Sequence, residues 1–362
     1  MNWARTTARS PYMEYAKLYS GARYNLAASG IASYPLSELP VQLKDLQING
    51  ETIYGYAPLQ ERLARKNDVA PECIVAAAGT SMANHLAMAA VLNPGDEVLM
   101  EHPTYELLVS LARYLGAGIR FFERTVETGF RLDPEEVARK ITSSTRLVVI
   151  TNLHNPTGAF TDNKTLQAVG KIAARVDARV LVDEVYLETL FEQRPQPAFH
   201  LGNEFIVTNS LTKAYGLSGL RCGWVIAEAA LAERMWRLND LFAATPVHIG
   251  ELLSVIALDN LDKVAARAKK LLQINRVQLN SFLDEHEAWL ECVRVEHGTV
   301  AFPRLRSGNA NGFCERLKTE YETSVAPGRF FDMPEYFRIG IGGEAEMTAG
   351  GLQRIGQALR SQ

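Results

Sequence analysis

Lys213 closes the run Ser210-Leu211-Thr212-Lys213, and Arg221 follows eight residues later. An amine held away from water beside a second cation loses affinity for its proton and becomes a usable nucleophile. The small residues around it, with Gly216 and Gly219 beyond, suit such a shielded position. Ser210, Thr212 and Arg221 add two hydroxyls and a fork of N–H donors, a set suited to phosphate. Gly79-Thr80-Ser81 offers a second anion cradle, with open backbone N–H groups and a helix dipole behind them. The same three residues would also serve as a plain helix cap. No Gly-Lys-Ser/Thr follows, so this is not a nucleotide-triphosphate loop. Asp183 comes directly after Val180-Leu181-Val182, which draws its carboxylate inward. A buried carboxylate needs a cationic partner. That partner is either a distant side chain in a structural salt bridge or a protonated ligand nitrogen. Tyr186, three residues on, can face the same site. His154 has no second ligand at metal spacing and reads as a hydrogen-bonding or packing residue. No metal site is expected, and Gly216-x-x-Gly219-x-x-x-Gly223 is not a dinucleotide fingerprint.

These clusters lie at the ends of apolar runs. Seven runs read as strands: Ile74–Ala77, Glu97–Met100, Ile119–Phe122, Leu147–Thr151, Val180–Asp183, Phe205–Asn209 and Gly223–Ile226. Most are continuously apolar, as in strands covered on both faces. Helix starts such as Asp133-Pro134-Glu135-Glu136 and Thr161-Asp162 lie between them, and Asn93-Pro94-Gly95-Asp96 is a turn. Strand–helix alternation predicts an α/β fold with a mostly parallel seven-stranded sheet covered by helices. Ligands of such sheets bind outside the carboxyl ends of the strands, where the polar clusters fall. Beyond Ile226 a helix-rich stretch runs from about Ala229 to Glu287. Extended segments are expected at Cys292–Val295, Val300–Leu305 and Tyr336–Ile341. This reads as a smaller α+β domain built from 1–39 and 246–362, beside a large domain over 40–245, with a long helix joining the two.

The 362 residues carry a formal net charge of -3, with 47% hydrophobic and 22% charged residues. That balance fits a globular protein and gives no electrostatic reason to expect nucleic acid or an anionic membrane as partner. No run approaches the ~18 uninterrupted apolar residues of a membrane helix. The segment Met1 to Tyr19 carries Arg5, Arg9 and Lys17 without an apolar core, which is unlike a signal peptide. Cys73, Cys222, Cys292 and Cys314 are widely spaced, so neither a disulfide framework nor a zinc site is indicated. The expected location is the cytoplasm.

Taken in order, Asn155-Pro156-Thr157-Gly158, Asp183-x-x-Tyr186 and Ser210-x-Thr212-Lys213 with Arg221 resemble the class I/II aminotransferase family of fold type I, whose cofactor is pyridoxal 5'-phosphate (PLP). The resemblance runs from about Tyr54 to Arg338. It implies that Lys213 holds the cofactor as a Schiff base and shuttles the substrate's α-proton. It assigns Asp183 to the pyridine nitrogen, and Asn155 and Tyr186 to the phenolic oxygen. Tyr105, in His102-Pro103-Thr104-Tyr105, matches the residue that stacks on the ring. Gly79, Thr80, Ser210, Thr212 and Arg221 match the phosphate-binding set. Arg338, in Phe337-Arg338-Ile339-Gly340, matches the arginine that grips the substrate carboxylate. Asn155 and Gly30 would also line the substrate position. Tyr54 resembles a tyrosine that reaches the partner subunit's phosphate, with Tyr56 as the fallback, which implies a homodimer.

The chain departs from the family pattern in three places. Ala78 replaces a frequent serine of the phosphate loop. The stretch Leu238-Asn239-Asp240-Leu241 lacks the second arginine of dicarboxylate-specific members, and Asp240 would favour a cationic substrate instead. Ser29-Gly30-Ile31 replaces the common Gly-x-Pro form where the family closes over its substrate. The implied reaction is amino transfer between an amino acid and a 2-oxo acid. A lyase or cyclase on the same cofactor site is the alternative, because the fold does not separate these outcomes. A DNA-binding regulator is disfavoured, since the segment before Tyr54 has no room for such a module.

Overall fold

The seven apolar runs form one sheet in the computed structural model, which describes residues 9–51, 53–193 and 195–361. In chain order its strands are β1 (Ile74–Ala78), β2 (Glu97–His102), β3 (Gly118–Glu123), β4 (Thr145–Thr151), β5 (Arg179–Asp183), β6 (Phe205–Ser210) and β7 (Cys222–Ile226). Their spatial order is β1-β7-β6-β5-β4-β2-β3. Neighbours from β6 through β3 are parallel, whereas β7 runs antiparallel to both β1 and β6. The reversal has a consequence for chemistry. The carboxyl ends of β1, β4, β5 and β6 lie on one edge, and the start of β7, just after Arg221, lies there too.

Both faces of the sheet are covered, and every residue of β6 and β7 is buried. The intervening helices start where the sequence signals them. Asp133 caps Pro134–Lys140 by accepting from Glu135 N, and Asp162 caps Asn163–Ala174 by accepting from Thr165 N. Capping of this kind satisfies N–H groups that the first helical turn leaves open.

A second core gathers Leu279, Phe282, Phe313, Leu317, Phe337, Leu352 and Ile355. The 25-residue helix Leu261–Glu285 reaches both cores, with Val264 packed against the sheet and Leu271 to Leu283 in the second cluster. Phe337–Gly340 is the middle strand between Val300–Ala301 and Ala326–Pro327, antiparallel to both. Near the N-terminus, Tyr24–Asn25 pairs with Thr323–Ser324.

Two expected strands differ. Val300–Leu305 is split into Val300–Ala301 and Arg304–Leu305, because Pro303 has no N–H to continue a ladder. Cys292–Val295 is not a strand; the pairing residues are Leu290–Glu291. Val293 and Val295 instead pack against the turns at Gly129 and Gly158, so their apolar character reflects loop packing. No helix among the described residues is long and apolar enough to cross a membrane. Of the basic N-terminal segment, residues 1–8 lie outside the described residues.

Candidate active site

A cavity of about 410 Å³ opens at the strand-end edge. Lys213 lies in the loop after β6 and lines it, together with Gly30, Thr80, Tyr105 and Asn155. Asp183, Tyr186, Ser210, Thr212 and Arg221 line the same cavity. Most of the residues singled out in the sequence therefore converge on one space, although they come from six separate chain segments, at Gly30, Thr80, Tyr105, Asn155, Asp183–Tyr186 and Ser210–Arg221.

Asp183 ends β5 and is 4% exposed. Asn84 Nδ2 donates to its Oδ2 at 2.8 Å, and Val185 N donates to Oδ1 at 3.1 Å. No arginine or lysine pairs with it among the described residues, so the structural salt bridge is not what is found. Burial pushes its carboxyl up to about 6, against the two hydrogen bonds and the field of Lys213. Lys213 moves the other way. Burial pulls its ammonium below the ordinary lysine range, aided by Arg338 and Arg221 and opposed by Tyr12 and Asp183.

The phosphate-suited residues assemble around the first turn of the Thr80–Val91 helix. Gly79 precedes it with φ of +79°, and a Cβ there would lie 2.3 Å from Arg221 Nη2. The positive φ favours glycine, and any larger residue would also push the Arg221 guanidinium from its place. Arg221 donates to the carbonyls of Ala78 (3.0 Å) and Ser218 (3.2 Å). Thr80 Oγ1 donates to Ser210 Oγ at 2.8 Å, and Thr212 N donates to Ser210 Oγ at 3.3 Å.

Arg338, central in Phe337–Gly340, is fully buried just behind the lining. It donates to Asn155 Oδ1 (2.8 Å), Tyr12 Oη (2.7 Å) and Ala27 O (3.0 Å), and its Nε has no partner. Neither Arg221 nor Arg338 has a carboxylate within ion-pair distance among the described residues. Guanidinium groups without a carboxylate partner, Arg338 buried and Arg221 at the cavity's exposed mouth, are suited to receive an anion from outside the chain. The site thus offers two anion positions, one nucleophilic amine and one acid awaiting a cation. A phosphorylated pyridine aldehyde bearing a protonated ring nitrogen fits that donor set, and the missing Cβ of Gly79 leaves the Arg221 guanidinium its place in the phosphate-suited group.

Two contributors, Tyr12 and Asn84, were not singled out from sequence, and a third, Ser29, was marked only as part of the departing segment Ser29-Gly30-Ile31. Tyr12 approaches from the N-terminal helix Pro11–Glu14, Asn84 from inside the Thr80–Val91 helix, and Ser29 from the covering segment. Asn84 was readable: it lies at i+4 from Thr80 and therefore shares its face. His154 is buried, with Nε2 on Pro103 O (2.8 Å) and Nδ1 on Thr157 Oγ1 (2.6 Å), a packing and hydrogen-bonding role. Tyr54 does not line the cavity. It hydrogen-bonds Asp240 at 3.4 Å and Arg237, and Asp240 is likewise outside the cavity, so it cannot favour a cationic substrate in its own chain's site.

The chain is similar throughout to proteins of one kind. It is 28% identical to capreomycidine synthase of Streptomyces vinaceus, covering 94% of this chain and 91% of that one. It is 27% identical to an arginine–pyruvate transaminase of Pseudomonas aeruginosa, over 95% of this chain and 92% of the other. Among solved structures, a PLP-dependent aminotransferase from Streptococcus suis superposes with a TM-score of 0.92, at 27% identity and 98% coverage of both chains. A profile described as aminotransferase class I and II matches residues 47–355. With pyridoxal phosphate as its cofactor, this chain belongs to the class I and II aminotransferase family.

Proposed function

We propose that the enzyme moves an amino group from an amino acid to a 2-oxo acid, with Lys213 as the residue that holds the cofactor. The observation that carries this reading is that the Lys213 amine shares one cavity with Asp183, an acid without a cationic partner among the described residues, and with Arg221, while Arg338 lies just behind the wall, and neither guanidinium has a carboxylate. When bound, pyridoxal phosphate supplies an electron sink that makes the α-proton of an attached amino acid removable. Arg221, Thr80, Ser210, Thr212 and the N–H groups after Gly79 would hold its phosphate. Asp183 would face the ring nitrogen, Tyr105 the ring plane, and Asn155 with Tyr186 the phenolic oxygen. Arg338, whose Nε–H is unused, would hold the substrate carboxylate and so fix the direction of the Cα–H bond. Lys213 Nζ would take the proton from Cα, and burial, which disfavours its ammonium, favours the neutral amine that this step needs.

The test is to add single amino acids to the holoenzyme without a 2-oxo acid. Transfer predicts stoichiometric conversion to the pyridoxamine form, read as loss of the visible cofactor band. A second reading, lyase or cyclase, is supported by the similarity to capreomycidine synthase. Its support in the cavity is that the wall formed by Tyr12, Met13, Tyr15, Ala16, Ser20 and Asn25 contributes no charged side chain that would grip a second carboxylate. Catalytic release of ammonia or a ring product, without the pyridoxamine form, would favour that reading.

We also propose a cytoplasmic homodimer in which Tyr54 reaches the partner's site. Supporting it, Leu43, Ile48, Ile53, Leu241 and Val247 are each at least 74% exposed. The segments carrying them meet where Gly50 packs on His248 and Gly55 on Trp236. An apolar face of this kind calls for cover. Four free cysteines suit a reducing compartment. Sedimentation should give twice the 40.1 kDa chain mass. A fully active monomer would remove the dimer.

A further inference from the structure

Among the described residues, Lys213 Nζ has one direct side-chain partner in the cavity, and it is Ser29. The ammonium donates to Ser29 Oγ at 3.2 Å, and the Tyr186 phenol donates to the same oxygen at 2.8 Å. Ser29 is 4% exposed and its place is fixed on three sides. Thr299 Oγ1 donates to Ser29 O at 2.7 Å, and Ile31 N donates to Lys213 O at 2.9 Å. A Cβ on Gly30 would lie 3.4 Å from Lys213 Cδ, so the covering segment lies directly against the lysine stem. This is the segment in which Ser-Gly-Ile stands instead of Gly-x-Pro.

We propose that Ser29 is a positioning residue of the active site, whose hydroxyl holds the Lys213 amine beside the Tyr186 phenol and stabilises its protonated form between proton transfers. The proposal rests on the reading of Lys213 as the cofactor-holding residue. A hydroxyl oxygen that accepts from an ammonium favours the charged state, and so works against desolvation. The other groups facing Lys213 do not duplicate this role. Arg338 and Arg221 oppose the ammonium, while Asp183 and Tyr12 favour it electrostatically without bonding Nζ. A lysine that must accept the Cα proton and then surrender it needs its two protonation states near balance. Ser29 moves that balance toward the protonated state while restricting where the amine can point.

The experiment compares Ser29→Ala and Ser29→Thr with the unaltered chain. The rate at which the cofactor-free chain captures added pyridoxal phosphate is followed by the visible band across pH, since capture needs the neutral amine. Removing the acceptor should shift the midpoint of this profile to lower pH, by about half to one unit. In the holoenzyme, kcat should fall about tenfold with KM held within about twofold. Ser29→Thr, which keeps the hydroxyl, should retain both. If Ser29→Ala merely let water reach the lysine, the profile would move to higher pH, and that result overturns the proposal. An unshifted profile with unchanged kcat overturns it equally. Lys213→Ala run alongside separates the two readings: undiminished capture by that variant defeats the assignment of Lys213 itself, whatever Ser29 does.

Discussion

Lys213→Ala is expected to abolish amino transfer, lowering kcat by at least about ten-thousandfold, while leaving the fold intact. Two losses combine. The variant has no amine to hold the cofactor covalently, and no base at the position where the Cα proton leaves; general acid–base assistance alone is worth about 10²–10⁴-fold. The fold should tolerate the change because Lys213 Nζ contributes one hydrogen bond, to Ser29, and its ammonium is disfavoured by burial. A melting temperature within a few degrees of the parent, with the lysine-linked visible band gone, is the expected pair of results. Turnover within tenfold of the parent would show that the amine at 213 is not the group that matters. The phosphate set does not depend on Lys213, so the variant should still bind the cofactor reversibly.

The sheet was legible because each strand is a short apolar run bounded by polar residues, and burial on both faces leaves that mark in sequence. The antiparallel β7 was not, because run composition carries no direction. That reversal is nonetheless what places Arg221 at the strand-end edge. The motif residues Asn155, Asp183, Tyr186, Ser210, Thr212 and Lys213 were readable as polar groups following apolar runs. Tyr12 was obscured altogether, and for Ser29 and Asn84 the position was readable but the partner was not, because all three bond residues remote in the chain. Tyr12 bonds Arg338 across 326 positions, Ser29 bonds Lys213 across 184, and Asn84 bonds Asp183 across 99. Only the tertiary fold makes those pairs, and nothing local in Pro11–Glu14 announces a catalytic neighbour. Strands two residues long, such as Tyr24–Asn25 and Thr323–Ser324, are too short to show any periodicity.

Asp183→Asn is the second large effect, and it should appear in stability as well as in rate. Without a carboxylate opposite the ring nitrogen, the cofactor's electron sink weakens, and kcat/KM should fall about 10²–10³-fold. The stability signature has a definite sign. The Asp183 carboxyl is pushed from its ordinary 3.8 up to about 6 in the folded, cofactor-free chain. Below about pH 4 the group is protonated in both folded and unfolded chains and costs nothing. Between these values the unfolded chain ionises first, so stability falls as pH rises; above about 6 the full cost, on the order of 3 kcal/mol, is present. Glu101, at about 6, and Glu251, at about 7, titrate too, but Asp183 is not among the causes of their shifts and they cancel in the difference; Glu184, at about 8, is raised in part by the Asp183 charge, so its relief in the variant acts in the same direction. Cofactor-free Asp183→Asn should therefore lose less stability than the parent between pH 4 and 7. With Asp183 opposite the ring nitrogen, as proposed, added pyridoxal phosphate would give the parent's carboxylate its cationic partner. The cofactor should accordingly raise the parent's melting temperature at pH 8 by several degrees more than the variant's. Parallel melting curves for the two proteins across pH, with and without cofactor, would mean that Asp183 does not face the ring nitrogen.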